Sequence, residues 1–189
     1  MKTAWILLSA LLLCLPACTK HQPKGDVVFP DQPEAANPPE KPAPPKARVL
    51  TNWDRGHRLR YRSMNEMDLR AELVHIGGDL VKKPNEPDLY AFKAMVAEEL
   101  TKFDAERKTN HWDRAFVHYS EAIQCAQALV DASDGQKMVE RIAQFKYYRT
   151  RPAKMLGKNK EASDDRNDAL ANPAVQKQIQ QAEDGPQDD

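Results

Sequence analysis

The chain has 189 residues, room for one modest domain plus accessory segments, and its 28 basic and 28 acidic side chains cancel to a formal net charge of zero. Its seven glycines include neither a glycine-rich phosphate loop nor a nucleophile elbow, which excludes those two devices of phosphoryl and acyl transfer. The neutral total conceals ends of opposite sign. Lys46 to Arg62 carries six bases (Lys46, Arg48, Arg55, Arg58, Arg60, Arg62) against Asp54, a local balance of +5, whereas Glu161 to Asp189 carries eight acids against Arg166 and Lys177, a balance of −6. Such asymmetry says more about partners than the sum does.

The first residues read as a targeting segment. Lys2 supplies a positive start, and Ala4 to Ala17 is a run of 14 uncharged, mostly apolar residues. A spanning helix needs roughly 20 apolar residues, so this run is too short to be one. Residues 1–17 are therefore expected to be a signal peptide. Leu15-Pro16-Ala17-Cys18 resembles the lipobox of bacterial lipoproteins. The resemblance implies that Cys18 is lipidated and becomes the first residue of the mature chain. Thr19 at the next position, where aspartate marks inner-membrane retention in enterobacterial lipoproteins, implies an outer-membrane anchor facing the periplasm. Cys14 then leaves with the signal, Cys125 is the one free thiol, and no intramolecular disulfide forms, so stability must come from packing.

Residues 18–47 hold eight of the fourteen prolines, which remove backbone donors and turn their predecessors away from helix. They read as a disordered linker that spans at most on the order of 90 Å at about 3.1 Å per residue. Val27-Val28-Phe29 is its one apolar cluster. Residues 48–62 follow as a basic segment expected to be extended. There Arg58, Arg60 and Arg62 alternate with Leu59 and Tyr61, so a strand-like backbone presents guanidiniums on one side and apolar groups on the other.

Residues 63–182 carry helical periodicity. Ser63-Met64-Asn65-Glu66 has the spacing of a capping box, and Met64, Met67, Ala71 and Val74 recur at helical steps until Gly77-Gly78, an expected stop. Pro84 and Pro87 mark a turn and a helix start, and Leu89, Phe92, Val96, Leu100 and Phe103 form the cleanest apolar stripe. Thr109-Asn110 caps a helix with Trp112, Phe116, Tyr119, Ile123, Ala126 and Val130 on one face, and Ser133-Asp134-Gly135 breaks it. Met138, Ile142 and Phe145 carry another helix toward Leu156, with Pro152 expected to kink or end it. Weaker segments at 158–171 and 174–182 precede a disordered acidic tail, 183–189. The fold class is all-α.

Trp112, Ala115, Tyr119 and Ala122 have the small-large-small spacing that lets two antiparallel helices approach closely, and "LGKNKEASDDRNDALANP" repeats the idea with Ala162, Ala169 and Pro173. This resembles a tetratricopeptide hairpin, which implies a short array presenting a groove to a partner. The copies lie 47 residues apart rather than the family's period of about 34, and Arg166 stands where a large apolar residue belongs. The architecture is therefore either a helical bundle or a short degenerate tetratricopeptide-like array.

For chemistry, no catalytic set and no cofactor is expected. His111 and His118 share a helix face about 10.5 Å apart, too far for one metal, and read as surface histidines. Cys125 on an amphipathic helix reads as a small buried hydrophobe. Two binding readings stay open. One is a non-enzymatic protein-binding or accessory module in the periplasm, its groove formed by Trp112, Phe116 and Tyr119. The alternative is an anionic-polymer binder, for peptidoglycan or lipopolysaccharide, using Arg55, Arg58, Arg60 and Arg62 as carboxylate and phosphate forks. Against both stands the plainer expectation that these arginines pair with the domain's own acids. Nucleic acid is disfavoured by the export signal.

Overall fold

The computed structural model describes residues 49–130 and 135–184, all within the unit Pro42–Asp189. The signal segment, Cys18, the linker, the Ser133-Asp134 break and residues 185–189 lie outside the described residues. Within them the chain is all-α, with seven helices: α1 (Asn52–Ser63), α2 (Glu66–Lys82), α3 (Pro87–Leu100), α4 (Lys108–Val130), α5 (Gly135–Met155), α6 (Asn159–Leu170) and α7 (Pro173–Asp184). None of them is long and apolar enough to cross a membrane.

From α2 onward, helices adjacent in sequence pack as neighbours, while α1 lies on α3. The broad interfaces run α3 on α4, α4 on α5 and α5 on α6; α2 lies on α3, and α7 returns to α5 and α6. Alanine makes the close approaches possible: Ala91, Ala94 and Ala97 on α3, Ala115, Ala122 and Ala126 on α4, and Ala162 and Ala169 on α6 are essentially inaccessible to water. Met95, Leu100, Tyr119, Phe145 and Tyr148 fill the space between. Such large side chains buried against small ones give native packing density.

Several expectations are corrected. The basic segment is a helix, because Thr51 caps α1 by accepting from the Asp54 backbone N–H at 3.1 Å, and Asp54, Arg58 and Tyr61, at helical steps of four and three, all find buried positions. The capping box is out of register: Ser63 ends α1 with its Oγ donating to the Arg60 carbonyl, and Asn65 caps α2 through the Asp68 N–H. Gly77-Gly78 does not stop α2, which runs on to Lys82; Leu69 and Ile76 before the pair are buried and Leu80 beyond it packs against the core, so tertiary packing outweighs the glycine propensity. α3 ends at Leu100, leaving Phe103 in the following turn and 45% exposed.

Pro152 neither ends nor interrupts α5, which runs on to Met155. Its end is set by Gly157 at φ +74°, with the Lys158 N–H donating to the Ala153 carbonyl at 2.9 Å and the Gly157 N–H to the Lys154 carbonyl at 3.0 Å. This is a Schellman closure, which needs the left-handed backbone that glycine adopts without strain.

Candidate functional site

The arginine segment is pinned into the domain by its own polar side chains. Asp54, fully buried, accepts from the Tyr148 hydroxyl at 2.8 Å, from Thr51 Oγ1 at 2.8 Å and from both Arg141 Nη atoms at 3.2 and 3.4 Å. The same Tyr148 hydroxyl accepts the Leu50 N–H at 2.9 Å. One turn on, Arg58 donates to Glu98 at 3.2 Å and to the Tyr119 hydroxyl at 2.9 Å, with its guanidinium 4.7 Å from the Tyr148 ring centre. Arg151 shares the same Glu98 oxygen at 3.1 Å. α1 is thereby bonded to α3, α4 and α5 at once.

Burial acts to lower the Arg58 pKa, but Tyr119 and Glu98 outweigh it and the group is held above its ordinary value. Burial pushes the Tyr119 and Tyr148 hydroxyls up, keeping both neutral. A charged arginine and two neutral phenols therefore meet at this network at physiological pH.

The expected anionic-ligand quartet is divided by this arrangement. Arg58 is internal and spends its fork on Glu98 and Tyr119, so it meets no external anion. Arg60 pairs with Glu72 at 2.9 Å and lies over the Tyr61 ring, while Arg55 is exposed and Arg62 half-buried. At about 100° per residue the helix also turns Arg60 to the side away from Arg58, whereas Arg62, one turn on, shares the face of the internal Arg58. Leu59 does not pack inward and stays 47% exposed.

The expected aromatic groove is mostly core. Trp112 and Tyr119 are buried, since their helix packs between α3 and α5, and Arg151 covers the Trp112 ring at 5.1 Å. Phe116 is half-buried beneath Arg149 and Lys158, at 5.2 and 3.9 Å from its ring centre. His111 is likewise buried, its Nε2 3.5 Å from Asp104, instead of lying on the surface. Cys125 is half-buried, with burial raising its thiol pKa. Among the described residues no group of three or more His, Cys, Asp or Glu side chains converges to hold a metal ion.

An open cleft lies elsewhere, between α1, the C-terminal end of α2 and the start of α3. It encloses about 370 Å³ and is lined by Trp53, His57, Asp79, Lys82, Lys83, Glu86, Asp88, Leu89 and Phe92. Three rings form its floor: Trp53 and Phe92 at 4.8 Å, His57 and Phe92 at 4.1 Å, Trp53 and His57 at 4.7 Å between centroids. Arg141 braces the floor from behind, 4.4 Å from the Trp53 ring and donating to Asp88 at 2.8 Å. Burial, with Arg60 next, lowers the His57 pKa, so the imidazole is neutral at pH 7 and stacks as an aromatic. The rim carries both signs, Asp79, Glu86 and Asp88 against Lys82 and Lys83.

An apolar floor inside a polar rim can accept an aromatic or aliphatic side chain and orient it by flanking charge. Reading 53 to 61 as a helix would have found Trp53, His57 and Tyr61 at four-residue steps; their meeting with Phe92 has no local signal. No family model matches the chain, nor does any curated protein or solved structure.

Proposed function

We infer that the chain is an outer-membrane lipoprotein whose helical domain is a non-enzymatic protein-binding module in the periplasm, receiving a partner's apolar side chain in the Trp53/His57/Phe92 cleft. The observation that carries this reading is the cleft: aromatic rings stacked at 4.1 to 4.8 Å with Trp53 still 38% exposed, inside a rim of mixed charge. That is the anatomy of a protein-interface hot spot, where a desolvated aromatic anchor sits within a polar border. Supporting the address are the lipobox-like Leu15 to Cys18 and the eight prolines between Thr19 and Ala47, a tether that lets the domain work away from the membrane surface. Supporting the module are stacked helical hairpins with buried Ala115, Ala122, Ala162 and Ala169, the feature behind the tetratricopeptide resemblance.

The test is capture by a photo-reactive residue placed at Lys83 on the rim, in the native envelope. Trp53→Ala is expected to abolish the cross-linked product while leaving the helical content unchanged, and Arg55→Ala is expected to leave it intact. Contact made in the apolar floor survives high salt, whereas contact made by exposed charge fades as the Debye length falls below about 8 Å. A product unaffected by Trp53→Ala overturns the site. Cys18→Ala is expected to move the protein out of the membrane fraction, and retention there overturns the anchor.

A further inference from the structure

α2 has two apolar rows on opposite faces. Leu69, Leu73, Ile76 and Leu80 turn inward as part of the core or packed against it. Met67, Ala71, Val74, Gly78 and Val81, at alternating steps of four and three, turn outward; Met67, Val74 and Val81 are 75%, 77% and 84% exposed. At about 100° per residue the two rows lie roughly 150° apart. Two such rows on one helix are the pattern of a helix packed on both sides.

The glycines carry the same message. Gly77 and Gly78 sit mid-helix, where alanine is the better helix former, yet nothing apart from their chain neighbours and the helix's own nearby backbone lies within 4 Å of where a Cβ would stand at either position. Packing within the domain does not require them. On the outward row, a glycine at position 78 would let another helix backbone approach closely.

We propose that the outward row of α2 is a self-association surface on which α2 of a second copy lies antiparallel, related by a two-fold axis between Val74 and His75. The row is nearly palindromic about that point. Inversion sets Ala71 level with Gly78 of the second copy and brings Met67 to Val81 and Val74 to its equivalent within one residue, about 1.5 Å along the axis, so small faces small where the backbones meet. Charge is complementary in the same register. Asp68, His75 and Lys82 occupy one flank at seven-residue steps, and antiparallel flanks of one kind face each other, bringing Asp68 of each copy to Lys82 of the other. Antiparallel helices also align their macrodipoles favourably. A parallel pair would also set small residues and Val74 against their equivalents, but it loses the Asp68–Lys82 pairing and aligns the macrodipoles unfavourably. The second copy is thus the occupant that α2's own sequence complements, and end helices of arrays otherwise need a polar outer face. A contact limited to one helix pair falls well short of a standard interface of about 1,600 Å², so the dimer is weak and concentration-dependent, and tethering on a membrane would favour it.

Self-association is read by cross-linking between copies and does not rest on the cleft's being a binding site, although Lys82 belongs to both the cleft rim and the flank of α2. The test uses the full chain with Cys14, Cys18 and Cys125 changed to Ala, so that one introduced thiol reports. On mild oxidation Val74→Cys is expected to form an intermolecular disulfide about tenfold faster than Val117→Cys on α4, a ratio corresponding to ~1.4 kcal/mol. Met67→Cys and Val81→Cys chains are expected to cross-link when mixed and poorly when each is alone. Asp68→Lys is expected to lower the Val74→Cys yield, and adding Lys82→Asp to restore it. All variants are compared at equal helical content by circular dichroism. Equal yields at positions 74 and 117 overturn the proposal, as does failure of the charge exchange to rescue. A Val74→Cys thiol protected from alkylation in a chain that sediments as a monomer also overturns it, and identifies a segment of the same chain as the occupant.

Discussion

Arg58 and Glu98, forty positions apart in sequence, meet at 3.2 Å with side chains 2% and 0% exposed. A charge pair so fully removed from water is sustained by what surrounds it: Arg151 on the same carboxylate oxygen, Tyr119 on the other arm of the fork and the Tyr148 ring against the guanidinium. Its consequence is architectural. The basic helix α1 is held as an integral part of the domain, and its packing positions Trp53 and His57 at the cleft.

Removing one partner of a buried pair leaves the other uncompensated, at a cost of about 3–5 kcal/mol. Arg58→Ala is expected to lower unfolding stability by that order in urea titrations. Arg60→Ala is expected to cost under about 1 kcal/mol, because Arg60 is half exposed in its pair with Glu72. Equal losses at the two positions would show that the internal network contributes nothing specific.

Trp112 lies in the core, so Trp112→Ala is expected to destabilise by about 3–5 kcal/mol, as truncation of a large buried side chain does. Phe116→Ala is expected to cost less, its ring being half-buried under Arg149 and Lys158. Thermal unfolding of the two variants decides; a fully stable Trp112→Ala protein would contradict the burial.

Two glycine changes should have opposite signs. Gly77→Ala enters open space inside a helix and is expected to stabilise by up to about 1 kcal/mol. Gly157→Ala forces a Cβ onto a backbone at φ +74° and is expected to destabilise by about 1 kcal/mol. Melting temperatures moving the same way in both would count against this account of the α5 terminus.

The histidines give a pH dependence. His57 and His118 both have pKa values lowered in the folded chain, in each case chiefly by burial; Arg60 adds to it at His57, while Glu121 opposes it at His118. The unfolded chain then binds protons more readily than the folded one, so stability is complete above the ordinary value of about 6.5 and falls as pH drops through the folded values. Unfolding free energies measured from about pH 7.5 down to about pH 5.5 should decline, and His57→Gln with His118→Gln should flatten the curve.

Much of the helical domain was legible in the sequence. Periodicity located α3 to α7 to within a few residues, and the alternation of small and large residues along α4 located its buried face, because these signals are local. The misreadings have a common physical origin. "RLRYR" alternates along the chain as a strand does, and nothing within that stretch announces that Arg58 will find Glu98 or that Asp54 will find Arg141. Gly77-Gly78 looked like a stop because propensity is local and the packing of Leu69 and Ile76 is not.

The sequence by itself determined what depends on neighbouring residues: an all-α domain, its helix periods, the charge asymmetry of its ends and the proline-rich stretch before it. The tertiary structure alone decided which charges are internal, that Trp112 and Tyr119 are core while Trp53 and Phe92 line a cleft, and which of α2's two apolar rows is left uncovered. Those outcomes depend on contacts 35 to 98 residues apart in the chain, such as Leu50 with Tyr148, which local patterns do not encode.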